Sequence, residues 1–220
     1  MMHKLVFTIL VHGLPDTQTG IALDVLIEAQ SNPNPQVREL AVVALAELPV
    51  SPPKRVSALV RGLQDTIGRV RRRAARALGD FGMHAIPAIA MLTSCLRDPD
   101  ASVRRDAAGT LGRLGHAAAS ATEYLIALLA DPDTRTRVVV STALKRIGRP
   151  AVPALVNTLR NQNAELRARA VTLLSQIAPD DEAVVEALQK ISNDWDAEVR
   201  RQVEIALGAI HVPLAELIEA

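Results

Sequence analysis

Aromatic residues are almost missing from this chain: its 220 residues include two Phe, one Tyr and one Trp. A core without large rings has to be built from Ala, Leu, Val and Ile, which suits closely packed helices better than a sandwich or a wide ligand pocket. Cysteine is as scarce. Cys95 stands alone, so no internal disulfide can form and nothing argues for an oxidising compartment. Long apolar runs are lacking as well: Leu5 to Val11 is too short to span a membrane, and no convincing small-residue cleavage site follows it. The expectation is a soluble, cytoplasmic chain without a signal peptide. What is present is 49% hydrophobic and 22% charged residues, the balance of a folded chain and not a disordered one.

Those residues repeat. An apolar-Arg pair recurs at Val37-Arg38, Val70-Arg71, Val103-Arg104, Leu166-Arg167 and Val199-Arg200, with Thr136-Arg137 as a polar-anchored version. The steps are 33, 33, 33, 30 and 33 residues. Five residues before each anchor stands Asn32, Asp65, Asp98, Asp131, Asn161 or Asp194, residue types that accept free backbone N–H groups and so are expected to start helices. Four after the anchor comes Ala or Val, eight after comes Leu, and eleven after comes Leu, Ile or Phe. Spacings of 0, 4, 8 and 11 fall on one stripe of an α-helix.

A second apolar-periodic stretch precedes most of these helices, as in AIPAIAMLTSCL (85–96), TEYLIALLA (122–130) and AVPALVNTL (151–159), so the unit is a helical hairpin. Gly82, Gly115 and Gly148 follow the second helix of three units, where a residue of positive φ commonly ends a helix. Pro87 and Pro153 sit where a first turn tolerates a missing N–H. One hairpin cannot bury its own stripe, and stacking of neighbours is the solution. The expected fold is all-α, an α-solenoid of about six stacked hairpins over residues 17–210. Residues 1–16 are expected to form an N-terminal cap or partial helix, and 211–220 the first helix of an incomplete seventh unit or a C-terminal cap. Neither end is obviously polar, which suggests a fragment of a longer array or an end that docks on another chain.

DPDASVRRDAAGTLGRLG (98–115), preceded by AIPAIAMLTSCLR, resembles a HEAT repeat of the short kind called the phycobilisome-lyase HEAT-like repeat. The resemblance runs over about 190 residues, roughly Gly20 to His211. Ankyrin repeats share the period, but their Thr-Pro-Leu-His turn is absent, and tetratricopeptide repeats want large aromatic positions that this chain lacks.

The resemblance brings enzymes into question, since the HEAT-like deoxyhypusine hydroxylases hold a di-iron centre with His-Glu dipeptides. None exists here: His3, His12, His84, His116 and His211 are followed by Lys, Gly, Ala, Ala and Val. Equivalent turn positions of stacked units lie about 10 Å apart, too far for His84 and His116 to share a metal. Cys95 lies among Ala90, Leu92 and Leu96 and reads as a core thiol. Trp195 reads as a turn residue packed on its neighbour, with an exposed stacking ring as the alternative. Asp98/Asp100, Asp131/Asp133 and Asp194/Asp196 recur at one place in the unit and read as helix starters instead of catalytic pairs. No phosphate-cradling Gly-rich loop is present. No catalytic, cofactor or metal residue is expected.

Arginine is the conspicuous polar residue, five times in GRVRRRAARALGDFG (68–82). In HEAT families the arginine after the anchor typically pairs with the helix-starting Asp of an adjoining unit. The resemblance therefore implies a structural ladder of Arg38, Arg71, Arg104, Arg137, Arg167 and Arg200 with Asp65, Asp98, Asp131 and Asp194. It also implies a concave face lined by second helices. There Arg69, Arg72, Arg73, Arg76, Arg105, Arg113, Arg146, Arg169 and Arg201 are the partner-binding candidates. Lateral pairs Glu39-Arg72, Arg73-Asp106 and Asp80-Arg113, between positions 33 residues apart, are expected to neutralise some of them and to leave Arg69 and Arg76 least explained.

Charge is uneven along the chain. Residues 54–76 carry eight basic residues against one acidic, a net of +7, and residues 180–220 carry ten acidic against three basic, a net of −7. With +1 overall the chain is a dipole and not a polycation. The reading is a non-catalytic scaffold that binds an acidic segment of another protein, with end-to-end self-association as a further option and no membrane contact. The alternatives are nucleic-acid binding through the concave arginines, in outline like the HEAT-like DNA glycosylases, and a lyase- or hydroxylase-related subunit.

Overall fold

A computed structural model of the chain describes residues 19–210. The expected cap at 1–16 and the expected seventh-unit helix at 211–220 lie outside the described residues. Six helical hairpins follow one another, and the chain divides into two compact units at Leu114/Gly115.

In the first unit the hairpins are α1 (Thr19–Ala29) with α2 (Pro35–Glu47), α3 (Pro52–Gly62) with α4 (Gly68–Leu78), and α5 (Ile89–Cys95) with α6 (Ala101–Leu114). The second helices α2, α4 and α6 pack side by side. Each also rests on the first helix of its own hairpin. The buried stripe is the one the spacing dictates: Val70, Ala74 and Leu78 on α4 are at most 1% exposed. A tighter 3-10 stretch, Gly79–Ala88, leads into α5 and reverses direction at Gly82.

The second unit repeats the arrangement with α7 (Thr122–Ala127) and α8 (Thr134–Ile147), α9 (Val152–Thr158) and α10 (Ala164–Ile177), α11 (Glu182–Lys190) and α12 (Ala197–Ile210). Leu144 and Leu174 are fully buried at the position Leu78 holds in α4. Each unit is thus a short α-solenoid whose core is aliphatic. Gly82 (φ +51°), Gly115 (+57°) and Gly148 (+75°) supply the positive φ between hairpins, and every non-glycine described has negative φ. At Gly148 ψ is −142°, an extended form of the left-handed half of the map that only glycine adopts easily.

Candidate functional site

Each second helix begins with two turns of side-chain capping, and the work is divided differently from the sequence expectation. The Asp or Asn five residues before the anchor does not cap the helix. Asp98 Oδ1 accepts the N–H of Asp100, and Asp65, Asp131, Asn161 and Asp194 do the same two residues on. The following Asp or Asn caps the helix: Asn34 accepts from Gln36 N, Asp133 from Thr136 N and Asn163 from Glu165 N. The correction has a physical reason: the first residue stands two positions before the capping one, so its side chain closes the turn instead of reaching the helix N–H groups. α4 differs: Ile67 holds its capping position and offers no side-chain acceptor.

That arginine is the one after the anchor. Arg71 Nε and Nη2 donate to Asp98 Oδ2 and Oδ1 at 2.5 and 2.8 Å, and Nη1 donates to the Asp65 carbonyl at 2.7 Å. Arg38 engages Asp65 at 2.6 and 2.9 Å and the Asn32 carbonyl at 2.9 Å. Arg167 engages Asp194 at 2.8 and 2.7 Å and the Asn161 carbonyl at 2.8 Å. Arg104, Arg137 and Arg200 each direct Nη1 to the carbonyl six residues earlier. Each fork therefore staples its own hairpin turn, and Arg38, Arg71 and Arg167 also grip the carboxylate of the next hairpin. Burial pushes the Asp65 carboxyl up, but the bonds from Arg38 and the Ile67 N–H outweigh it and its pKa lies below the ordinary aspartate value. Asp194 is held low chiefly by the Arg167 hydrogen bond. Arg38 and Arg71 are raised by theirs. Where Asn161 stands instead of Asp, the Nε of Arg137 is buried without a partner among the described residues.

The remaining arginines sort themselves by geometry. Glu39 receives Arg69 Nε at 2.7 Å and Arg73 Nε at 3.2 Å, not Arg72. Glu39 lies in the groove between residues 30 and 34 ahead of it, one turn apart on the neighbouring helix, so positions 33 apart are not opposite one another. The pairs Arg73-Asp106 and Asp80-Arg113 fail with the same assumption. Arg113, though exposed, lies back along its neighbours, donating from Nη2 to the Arg76 carbonyl (3.3 Å) and Thr110 Oγ1 (3.2 Å), and so close over Gly79 that a Cβ there would collide with it. Arg105 is half-buried. Arg169 pairs with Glu165 at 2.8 Å, and Arg201 with Glu198 at 2.6 Å. The bonds from Arg201 and then Gln202 hold the exposed Glu198 carboxyl down at about 2.

Arg72, Arg76 and Arg146 remain, with no ion pair among the described residues. Arg76 and Arg146 are exposed and Arg72 is half-buried. Arg69 moves out of the least-explained group and Arg72 moves in. Sequence reasoning also passed over Arg135 and Val138 on α8, both exposed, although they hold the places of Arg69 and Arg72 on α4. The 33-residue register itself was the signal that would have found them.

Other candidates acquire structural roles. Cys95 is buried, its Sγ 3.9 Å from the Leu63 carbonyl, and burial pushes the thiol up to about 11. Trp195 is 75% exposed, yet its ring lies 3.9 Å from the Arg167 guanidinium and roofs the pair with Asp194. Arg55 does likewise over Phe81 at 4.6 Å. Among the described residues no group of three His, Cys, Asp or Glu could hold a metal ion, and no helix is long and apolar enough to cross a membrane.

Similar proteins share this architecture. The chain is similar to an engineered protein (24% identity, TM-score 0.55, 86% of this chain and 96% of that one). It is also similar to the complex of CpcE and CpcF of phycocyanin lyase from Nostoc sp. PCC7120 (27%, 0.51, 86% and 76%). A third is the archaeal HEAT-like repeats protein from Thermococcus onnurineus NA1 (19%, 0.51, 96% and 97%). No curated protein matches the sequence. The PBS lyase HEAT-like repeat profile matches residues 103–131. The HEAT repeats profile matches residues 23–111 and 122–208, most of the chain, and with six Arg-anchored hairpins in place the chain belongs to the HEAT repeat family.

Proposed function

We propose that this protein is a non-catalytic scaffold that holds another protein against the faces of its second helices. Arg72 and Arg76 on α4 contact an acidic segment of that partner, with Arg69, Arg73, Arg105 and Arg113 around them in the first unit; Arg146, Arg169 and Arg201 are candidate contacts of the second unit. The observation that carries this reading is the Arg72/Arg76 pair, four residues apart on α4 with no carboxylate partner among the described residues. Such like-charge spacing costs a few tenths of a kcal/mol in the free protein, which a bound anion would offset. The likeness to CpcE and CpcF, solved as a complex of two proteins, supports a protein partner. A phosphate-backbone ligand fits less well, because the chain carries a net charge of only +1 and four aromatic residues for stacking.

The test is quantitative capture from the native source with wild-type bait and with the Arg72→Glu/Arg76→Glu double variant, beside a gel shift at low salt with duplex DNA and single-stranded RNA. A specific protein retained by the wild type and depleted at least about tenfold with the variant supports the reading, as loss of two charge contacts predicts. Equal capture by both baits overturns it. Nucleic-acid binding that the variant loses, without a lost protein, replaces it with the phosphate reading.

A further inference from the structure

The outward stripe of α8 differs from those of its neighbours in the second unit. Helix α8 contains no acidic residue. Its buried stripe is Thr136, Val140, Ala143, Leu144 and Ile147. On the opposite side Arg135, Val138, Thr142, Lys145 and Arg146 are all exposed, Val138 by 62%. Spacings of 3, 7 and 10 or 11 put them on one line along the helix. Arg135, Lys145 and Arg146 have no ion pair among the described residues.

The place of Arg135 carries the opposite sign in the other two second helices of this unit, and in α4 it carries Arg69, which Glu39 neutralises. At the place of Arg135, in the first turn, α10 has Glu165 and α12 has Glu198. An acid there suits the helix dipole, and each also neutralises an arginine three or four residues on. α8 has the opposite sign at that place and nothing to neutralise it. Lys145 and Arg146 lie in the last turn, where cations suit the dipole, so the fold accounts for them in part. It accounts for neither Arg135 nor an exposed valine between cations.

We propose that this stripe binds a short acidic peptide segment with an apolar anchor: carboxylates at the two ends meet Arg135 and Lys145/Arg146, and an aliphatic side chain between them covers Val138. The charge pattern selects an anion, and Val138 selects against a bare phosphate backbone, which has nothing to place on it. The cations stand about 15 Å apart along the helix, a span an extended peptide covers in four or five residues. Residues i, i+2 and i+4 of an extended peptide share one face, so the matching motif is Glu-x-Leu-x-Glu.

The experiment titrates the uniformly 15N-labelled full chain with a blocked Gly/Ser peptide carrying Glu-x-Leu-x-Glu. Saturable amide shifts along α8, with affinity in roughly the millimolar range, are expected. Binding should weaken roughly tenfold when the peptide Leu becomes Ser or when the protein carries Val138→Asp, the worth of one covered aliphatic side chain. Val138→Ser and Arg135→Gln should show intermediate losses, with circular dichroism unchanged. The proposal is overturned if no shifts appear, if the Leu-free peptide binds equally well, or if the shifts fall on α4. It is also overturned if a short DNA duplex perturbs the same amides more strongly and Val138→Asp leaves that unchanged. Arg72→Glu/Arg76→Glu should leave these α8 shifts intact, so failure here leaves the α4 reading standing, and failure of the capture experiment leaves this one standing.

Discussion

Asp194→Asn isolates the worth of one rung of the arginine ladder. The Arg167 and Asp194 side chains are 1% and 4% exposed, so this ion pair is sheltered from water and salt. Asparagine keeps the acceptor for the Asp196 N–H but sets an amide or a neutral oxygen against a guanidinium that donates twice. Leaving a buried charge unneutralised costs about 3–5 kcal/mol. Arg167 retains two backbone carbonyls at 2.8 and 3.0 Å and the Trp195 ring, which places the expected loss near the lower end, about 3 kcal/mol. Trp195 is the chain's one tryptophan, so urea unfolding followed by its fluorescence reads the loss at the rung itself. Asp65→Asn, on a rung exposed by 12% and 8%, should cost less. Asp181→Asn, whose 3.6 Å pair with Arg149 is largely solvated and whose cap an asparagine preserves, should cost under about 0.5 kcal/mol. The sign with pH follows from the depressed Asp194 pKa. Its contribution is complete above the unfolded value of about 4 and is lost as pH falls through the lower folded value, so the gap between wild type and variant should close in acid. A loss no larger than that of Asp181→Asn, or a gap unchanged below pH of about 3, would refute the assignment of stability to this buried charge pair.

Other substitutions test neighbouring statements. Asn161→Asp restores a carboxylate where Arg137 Nε is buried without a partner, and thermal unfolding should show a gain of about 1–2 kcal/mol; no gain means the shorter step at this hairpin holds the two apart. Gly148→Ala has room for its Cβ but puts alanine at φ +75° and should cost about 1–3 kcal/mol, whereas Gly208→Ala, in open space within α12, should stabilise by up to about 1 kcal/mol; equal effects would remove the backbone argument. With its thiol pushed up to about 11, Cys95 is thiolate in about one molecule per thousand at pH 8, so the native protein should resist a thiol-disulfide reagent until it is unfolded, and prompt stoichiometric labelling would contradict its burial.

The hairpins were legible in the sequence because their cause is local and repeated. A buried stripe at 0, 4, 8 and 11 admits only Ala, Val, Leu and their like, and the period of 33 survives even where Thr136 replaces the anchor valine. Thr136 is tolerated because Asp133 accepts from both its N–H and its hydroxyl. Side-chain pairing between helices was not legible in the same way. Counting 33 residues assumes that adjacent helices sit without axial offset, and Glu39 shows that they do not, reaching Arg69 and Arg73 on either side of its counterpart. An offset of a fraction of a turn is set by packing along the whole interface, and no single residue encodes it.

The same offset determines which cations are left over, and therefore where function is to be sought. Glu39 takes two arginines of α4 and spares Arg72 and Arg76. Carboxylates within α10 and α12 take Arg169 and Arg201 and leave α8, which has none, as the second helix of that unit whose exposed charge is of one sign. A repeat makes equivalent positions look equivalent in function, yet neutralisation differs from helix to helix because each acid is a single substitution in a single copy. The residues that distinguish this protein from its own repeat are therefore the departures from it: Ile67 in place of a cap, Asn161 in place of a rung, and Arg135 without the acid that its counterpart Arg69 has. If the departures carry the function, replacing Arg135 by Glu to match Glu165 and Glu198 should abolish peptide binding at α8 while leaving the protein as stable as before or slightly more so, since the acid suits the helix dipole. A variant that loses stability instead would show that Arg135 serves the fold.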